Sequence, residues 1–175
     1  MNVAGEQTLD VRRLVECLHR HQVEYLIVGG IGAQLHGAQR PTFDFDSLPA
    51  LSKENLGRLA AAMRELHAYL RVGGLTDEEA RALPTRVDAD SLARMDISTW
   101  RTDAGDFDVL TAIPTRDGGR AFYDELEARA QRVEVGPVNV RVAALADIIA
   151  SKEWADRPKD REALDELRRL RDGDG

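Results

Sequence analysis

The sequence predicts an α/β (α+β) fold, a mixed β-sheet flanked by helices, on three observations. Segments with a helical period of apolar residues alternate with short runs rich in β-branched and aromatic residues. Two pairs of strand-like runs close on turn signals, Thr102–Gly105 and Gly136-Pro137, and read as hairpins. A strand that ends in Gly29-Gly30 leads into a short helix and then a second strand.

Taken in order, Thr8–His21 carries Leu9, Val11, Leu14, Val15 and Leu18 on one helical stripe, with Asp10 near its start. Val23–Val28 reads as a buried strand and Ile31–Gly37 as one or two helical turns. Thr42–Leu48 alternates Phe43, Phe45 and Ser47 against Asp44, Asp46 and Leu48, the period of two of a strand with the phenylalanines packed on one face. Ser52–Leu70 is expected as one long amphipathic helix, ended by Gly73-Gly74. Residues 77–93 read as short helical or loop pieces, and Arg94–Trp100 and Asp106–Ile113 as strands. Gly119–Ala130 is expected to be helical, and Arg132–Val135 and Val138–Val142 form the second hairpin. Leu145–Ala155 and Pro158–Leu170 are the closing helices, the last with Pro158 at its first position and Asp160 and Glu162 in its first turn. Asp172–Gly175 reads as a frayed tail. No repeat, low-complexity block or linker divides the chain, so residues 1–175 are expected to form a single domain.

The bulk numbers agree with a globular protein and exclude several classes. A chain of 175 residues with 43% hydrophobic content is long enough to bury a real core. No stretch approaches the ~20 apolar residues of a bilayer span, and Met1–Asp10 lacks the basic start and apolar run of a secretory signal. A lone cysteine, Cys17, forms no intrachain disulfide and no cysteine-rich zinc site; beside an apolar stripe it reads as a half-buried thiol. A cytoplasmic protein is expected, with no membrane partner. The net charge of −7 argues against coating nucleic acid by electrostatics alone. Only three of the 24 basic residues, Lys53, Lys152 and Lys159, are lysines.

The chemistry concentrates in Gly29–Leu48. Gly29 and Gly30 let a backbone approach a bulky anion, as the phosphates of a nucleoside triphosphate require, although a double glycine also serves as a plain tight turn. Asp44 and Asp46 stand two apart on a strand and so share a face, about 6.8 Å apart along the chain. At an effective dielectric near 20 such charges repel by about 2.5 kcal/mol, which calls for a cation. Oxygen-only ligands favour Mg²⁺ or Mn²⁺ over zinc. The competing reading is a solvated face of an edge strand. Asp106 and Asp108 repeat the spacing later; Asp108, followed by apolar Val109-Leu110, is the candidate third carboxylate, and Asp106 beside Gly105 fits a turn.

Gly29-Gly30, His36-Gly37, Arg40-Pro41-Thr42 and Asp44-Phe45-Asp46 together resemble the nucleotidyltransferase superfamily, and within it the AbiEii-type toxins of bacterial toxin–antitoxin systems. The likeness continues through Gly105–Leu110, Ile148–Lys152 and Arg157–Asp160. It implies a nucleotidyltransferase fold and transfer of a nucleoside monophosphate from a triphosphate (NTP) with release of pyrophosphate. By resemblance, Asp44, Asp46 and Asp108 are the metal ligands, Lys152 contacts the triphosphate, and Asp160 joins the active-site group. Gly29, Gly30 and Arg40 are expected on the nucleotide. Lys152 also reads as a surface residue pairing with Asp156 at i+4, Asp160 as a residue opposing the helix dipole, and Arg40 as an exposed arginine. His36 is given no chemistry. The resemblance further implies a tRNA or other RNA acceptor, extended at its 3′ end with pyrimidine nucleotides, and a cognate antitoxin that in some systems is a kinase. Thr42, two residues before Asp44, is then the candidate phosphorylation site, with Ser47 facing the other way. An aminoglycoside-like small molecule or a protein hydroxyl is the alternative acceptor, and an inactive binding module the non-enzymatic alternative. An arginine cluster, Arg157, Arg161, Arg168, Arg169 and Arg171, reads either as a track for RNA or as a helix face laced with carboxylates.

Overall fold

A computed structural model describes residues 7–173. Asp10 accepts a hydrogen bond from the Arg13 amide and caps α1 (Val11–Arg20), which buries Leu14, Val15, Cys17 and Leu18. β1 (Tyr25–Val28) is buried throughout and runs straight into α2 (Gly29–Leu35). β2 (Asp44–Pro49) follows, then α3 (Lys53–Glu65), capped by the Ser52 hydroxyl accepting from the Asn55 amide. The helix expected to reach Leu70 ends five residues earlier. His67 takes a positive φ of 52°, and Tyr69–Leu70 becomes β3, paired with Trp100 and Arg101. The apolar spacing of Leu66 and Leu70 suits a helix, but strand pairing to a sheet edge wins there.

Beyond it lie α4 (Asp77–Arg81), closed by a Thr76–Glu79 capping box, and α5 (Ala89–Arg94). The first expected hairpin is β4 (Ile97–Thr102) and β5 (Gly105–Leu110); the expected strand start at Arg94 belongs to α5. The segment expected to be helical from Gly119 begins instead as β7 (Arg120–Ala121), paired with β6 (Ile113–Pro114), and only Tyr123–Leu126 forms α6 before a 3₁₀ turn. Gly118 at φ 85° turns the chain back there, so two residues pair before the helix starts. The second hairpin is β8 (Gln131–Val135) and β9 (Val138–Val142), followed by α7 (Leu145–Ala155) and α8 (Pro158–Asp172). Asp172, expected in a frayed tail, closes α8 with Gly173 as its left-handed cap; residues 174–175 and the first six lie outside the described residues.

Among the described residues the main sheet has seven strands in the order β3-β4-β5-β2-β1-β9-β8. It is mixed: β2 and β5 are parallel, as are β1 and β9, while β1–β2, β3–β4, β4–β5 and β8–β9 are antiparallel. Phe45 and Phe107 sit side by side in the β2–β5 register and stack at 5.5 Å, both fully buried. Phe43, expected to pack on the same face as Phe45, precedes β2 and is 68% exposed. Cys17, expected half-buried, is fully buried. Burial first, then the Glu65 charge, pushes its thiol up to about 11, so it is an inert core group. No helix of the described residues is long and apolar enough to cross a membrane.

Candidate active site

With the phenylalanines in the core, period-two alternation turns Asp44, Asp46, Asp106 and Asp108 to the opposite face of β2 and β5. The register is direct: Asp44 lies beside Asp106, and Asp46 beside Asp108. Asp46 is the most perturbed group. Burial, then the charge of Asp108 and a shared hydrogen bond, then Asp44, push its carboxyl up to about 8 against the pull of Lys152. Asp108 is raised for the same first reason, burial. Its Oδ1 is buried with no hydrogen-bond partner. Asp106 differs: it accepts from Arg101 Nε at 2.9 Å and Arg71 Nη1 at 2.8 Å.

The two glycines have a steric task that the sequence reading missed. Gly29 has φ 63°, and a Cβ on it would lie 1.8 Å from Asp46 Oδ2; a Cβ on Gly30 would lie 2.5 Å from the Thr42 hydroxyl. They admit the Asp46 carboxyl and Thr42 to the mouth of α2.

Cations arrive from the turn between the last two helices. Asp156, left-handed at φ 46°, ends α7, and Arg157 opens α8 one residue later. Lys152, Arg157 and Lys159 thereby line the cleft with Gly29, Asp44 and Asp46. Lys152 does not pair with Asp156, which is taken by Arg161 at 2.6 Å. Its Nζ instead lies 3.5 Å from Oδ1 of Asp160. Asp160 is wholly buried and accepts from Arg157 Nε at 2.6 Å. Burial alone would raise its carboxyl; hydrogen bonding and charge from Arg157, with Lys152 behind, outweigh burial and hold it below the ordinary range. Asp160 therefore anchors two cleft cations, which is more than opposing a helix dipole.

Arg157 and Lys159 were not singled out as nucleotide contacts from sequence, although they flank Asp160 in the segment that carried the resemblance. Arg40 lines the cleft and pairs with Glu162 at 2.9 Å. Thr42 lines the same side, while Ser47 is buried and donates to the Asp108 carbonyl at 2.9 Å. His36 Nε2 lies 2.8 Å from the Ala143 carbonyl oxygen, a packing contact. In the arginine cluster, Arg161, Arg168 and Arg171 each close an ion pair with a nearby carboxylate. The cleft has two lobes, one of about 160 Å³ over Gly30, Arg40 and Thr42, and one of about 350 Å³ over Asp108, Ile97 and Leu110.

Among the described residues, the one group of three metal-capable side chains whose ligand atoms all lie within 4.8 Å of one another is Cys17, His21 and Glu65, which shares no residue with this cleft. Its donors are already used: the Cys17 thiol donates to the Ala62 carbonyl, His21 bonds Glu65 at 2.6 Å, and Arg20 pairs with the same carboxylate.

No protein-family model matches the chain, and no curated protein matches it by sequence. Solved structures do match. The lincosamide antibiotic adenylyltransferase LnuA, with lincomycin bound, is similar over 93% of this chain and 99% of its own, with TM-score 0.59 and 12% identity. A putative nucleotidyltransferase from Thermotoga maritima matches over 89% and 88% (TM-score 0.54, 15% identity). The antibiotic-resistance factor ANT(2″)-Ia matches over 94% and 82% (TM-score 0.53, 16% identity). At these identities the likeness defines the architecture: the chain has the nucleotidyltransferase fold, with the expected mixed sheet flanked by helices.

Proposed function

We propose that this protein is a metal-dependent nucleotidyltransferase that moves a nucleoside monophosphate from an NTP to an acceptor hydroxyl, releasing pyrophosphate. The observation that carries the reading is the cluster of Asp46 and Asp108, two carboxyls in register, both pushed up by burial, one with an orphaned oxygen, facing Lys152. Half-buried carboxyls crowded together, with an unused oxygen and oxygen-only donors, fit a divalent cation, and Asp44, Asp46 and Asp108 are the residues to hold it. Mg²⁺ or Mn²⁺ there would supply Lewis-acid charge at the α-phosphate and an acidified acceptor hydroxyl.

The chain's own residues supply the rest. Lys152, Arg157, Lys159 and Arg40 neutralise the triphosphate and the pyrophosphate that leaves. Asp160 holds Lys152 and Arg157 in place, so it is a positioning residue. Gly29 and Gly30 leave room for the Asp46 carboxyl and for phosphate oxygens beside it.

For the acceptor, the motif resemblance supports the 3′ end of tRNA, a pyrimidine nucleotide and a toxin held in check by a cognate antitoxin. A phosphate placed on Thr42 by such a partner would bring close to two negative charges into the triphosphate lobe and compete with the substrate. A small-molecule acceptor is the second reading. It is favoured by the wider lobe beside Asp108 and by the antibiotic-modifying proteins that share the fold. The test incubates the protein with Mg²⁺ and each labelled NTP in turn, against total RNA and against hydroxyl-bearing small molecules, with Asp44→Ala alongside. Label that appears only with the unmutated protein supports transfer; equal label with Asp44→Ala sinks it.

A further inference from the structure

We infer that the outer edge of β8 is an interface with a second copy of this chain. The two β8 strands pair antiparallel about Val133, so that Arg132 of each copy faces the partner's Glu134. The inference stands apart from the transfer reading and concerns the opposite end of the sheet.

The two edges of the main sheet differ. β3 has two residues, too few to template a strand, whereas β8 has five, all in unbroken register with β9. Exposed edges are ordinarily blunted by short strands, lysine, proline or a bulge. β8 has none of these, and among the described residues nothing pairs with its outer side.

The turn fixes which backbone groups point outward. Gly136 takes φ 58°, and Pro137 after it is locked at negative φ, so the two-residue loop is a type II′ turn. The residues flanking such a loop, Val135 and Val138, form a bonded pair, and bonded pairs alternate along the ladder. Val133 and Gln131 therefore bond toward β9, and the amides and carbonyls of Arg132 and Glu134 point to the open edge. A two-fold axis at Val133 sets each Arg132 opposite the partner's Glu134, with N–H···O bonds in both directions.

The side chains agree. Alternation puts half-buried Val133 and Val135 on the core face and exposed Arg132 and Glu134 on the other. Within the chain Arg132 stands opposite Arg141, and like charges directly across a ladder are unfavourable. Arg141 closes an ion pair with Glu127; among the described residues Arg132 and Glu134 close none. Pairing about Val133 gives both a partner of opposite sign. Moving the axis to Arg132 or to Glu134 would set like charges face to face, so the charges also select the register. The cleft stays open, because β1 and β9 lie between β8 and β2. A five-residue strand contributes less contact than the ~1,200–2,000 Å² of a stable complex, so the dimer is weak and concentration-dependent.

The test is sedimentation of the full chain at low salt, where exposed charge pairs are least screened. The unmutated protein should pass from monomer to dimer with a Kd of about 10–100 µM. Arg132→Glu and Glu134→Arg should each weaken self-association about tenfold or more, since attraction turns to repulsion in both pairs. Mixed one to one, these two variants should associate with each other at least as tightly as unmutated copies, because every facing pair is then Glu with Arg. The double variant should dimerise as well. Glu134→Pro should be monomeric, as it removes an outward N–H and leaves the β9 ladder whole. Circular dichroism and Tm check that each variant is folded. A monomer up to about 500 µM overturns the inference. So does a dimer that none of the substitutions weakens, or a mixture of the two reversals that stays monomeric. Should either reversal fold poorly, Glu134→Pro and the double variant decide.

Discussion

Asp44-Phe45-Asp46 on β2 and Asp106-Phe107-Asp108 on β5 are the same tripeptide, laid side by side in parallel register with their phenylalanines stacked. Each is followed by a residue and a leucine, yet the two strands end in different surroundings. At the third position Asp46 and Asp108 both face the cleft; at the first, Asp44 lines the cleft whereas Asp106 meets Arg101 and Arg71 and is neutralised by them. Leu48 is fully buried, whereas Leu110 remains half-exposed at the cleft wall. Identical local sequence therefore yields a candidate metal ligand in one place and a structural ion pair in the other. The neighbours across the sheet make the difference, because a carboxylate's role follows from the charges it faces.

The sharpest way to break this comparison is to neutralise a cleft carboxylate and the ion-paired carboxylate separately. Asp46→Asn should lower nucleotide transfer by at least about a thousandfold, since metal stabilisation of the transition state is worth several kcal/mol. Asp106→Asn should leave transfer within about tenfold but lower Tm, because Arg71 and Arg101 lose their shared partner. Equal loss of activity in both variants, measured by labelled-nucleotide incorporation, would erase the distinction. Next in size is Gly29→Ala. The added Cβ collides with Asp46, and the positive φ adds about 1–2 kcal/mol of backbone strain. Transfer should fall by about a hundredfold, while an alanine at Gly73, where a Cβ meets nothing within 4 Å, should be silent.

Asp160→Asn sharpens the comparison from the cation side. Losing charged hydrogen bonds worth about 2 kcal/mol should lower Tm by about 4–8 °C. It should also raise the NTP KM more than it lowers kcat, as Lys152 and Arg157 lose their anchor. An unchanged KM would leave Asp160 a purely structural residue. A pH dependence follows from the same carboxylates. The Asp46 carboxyl is raised from 3.8 to about 8 in the fold, so it holds a proton that the unfolded chain sheds first. That contribution is full below about pH 4 and is lost as pH rises toward 8. In EDTA, Tm should therefore decline between about pH 5 and 8, and Mg²⁺ should flatten the decline by replacing the proton. A Tm that is the same with and without Mg²⁺ at pH 8 would argue against cation binding at these carboxylates.

Much of the architecture was legible in local pattern. Both hairpins, the capped first helix, the buried β1 and the closing helix pair follow from periodicity and turn residues, which act over a few positions. The misses share a cause. Tyr69–Leu70 and Arg120–Ala121 are strands only because a partner strand lies beside them; two residues are too short a run to show a period, and the partner of Tyr69–Leu70 is 30 or more positions away. Phe43 carried a strand's alternation but fell one residue before the ladder began. In the site, the spacing of Asp44, Asp46 and Asp108 could be read directly, whereas the pairing of Asp160 with Lys152 could not, since it depends on how α8 turns back on α7.

What the sequence determined by itself is the set of short-range facts: which residues alternate, which glycines interrupt a strand, and which carboxylates share a face. These depend on backbone geometry repeated every two or 3.6 residues. Only the tertiary structure decided that Asp46 and Asp108 stand in register, that Asp106 is tied to two arginines, and that Ile97 is left uncovered beside them. Those outcomes depend on burial and on which strands the sheet lays side by side, and no local period encodes either.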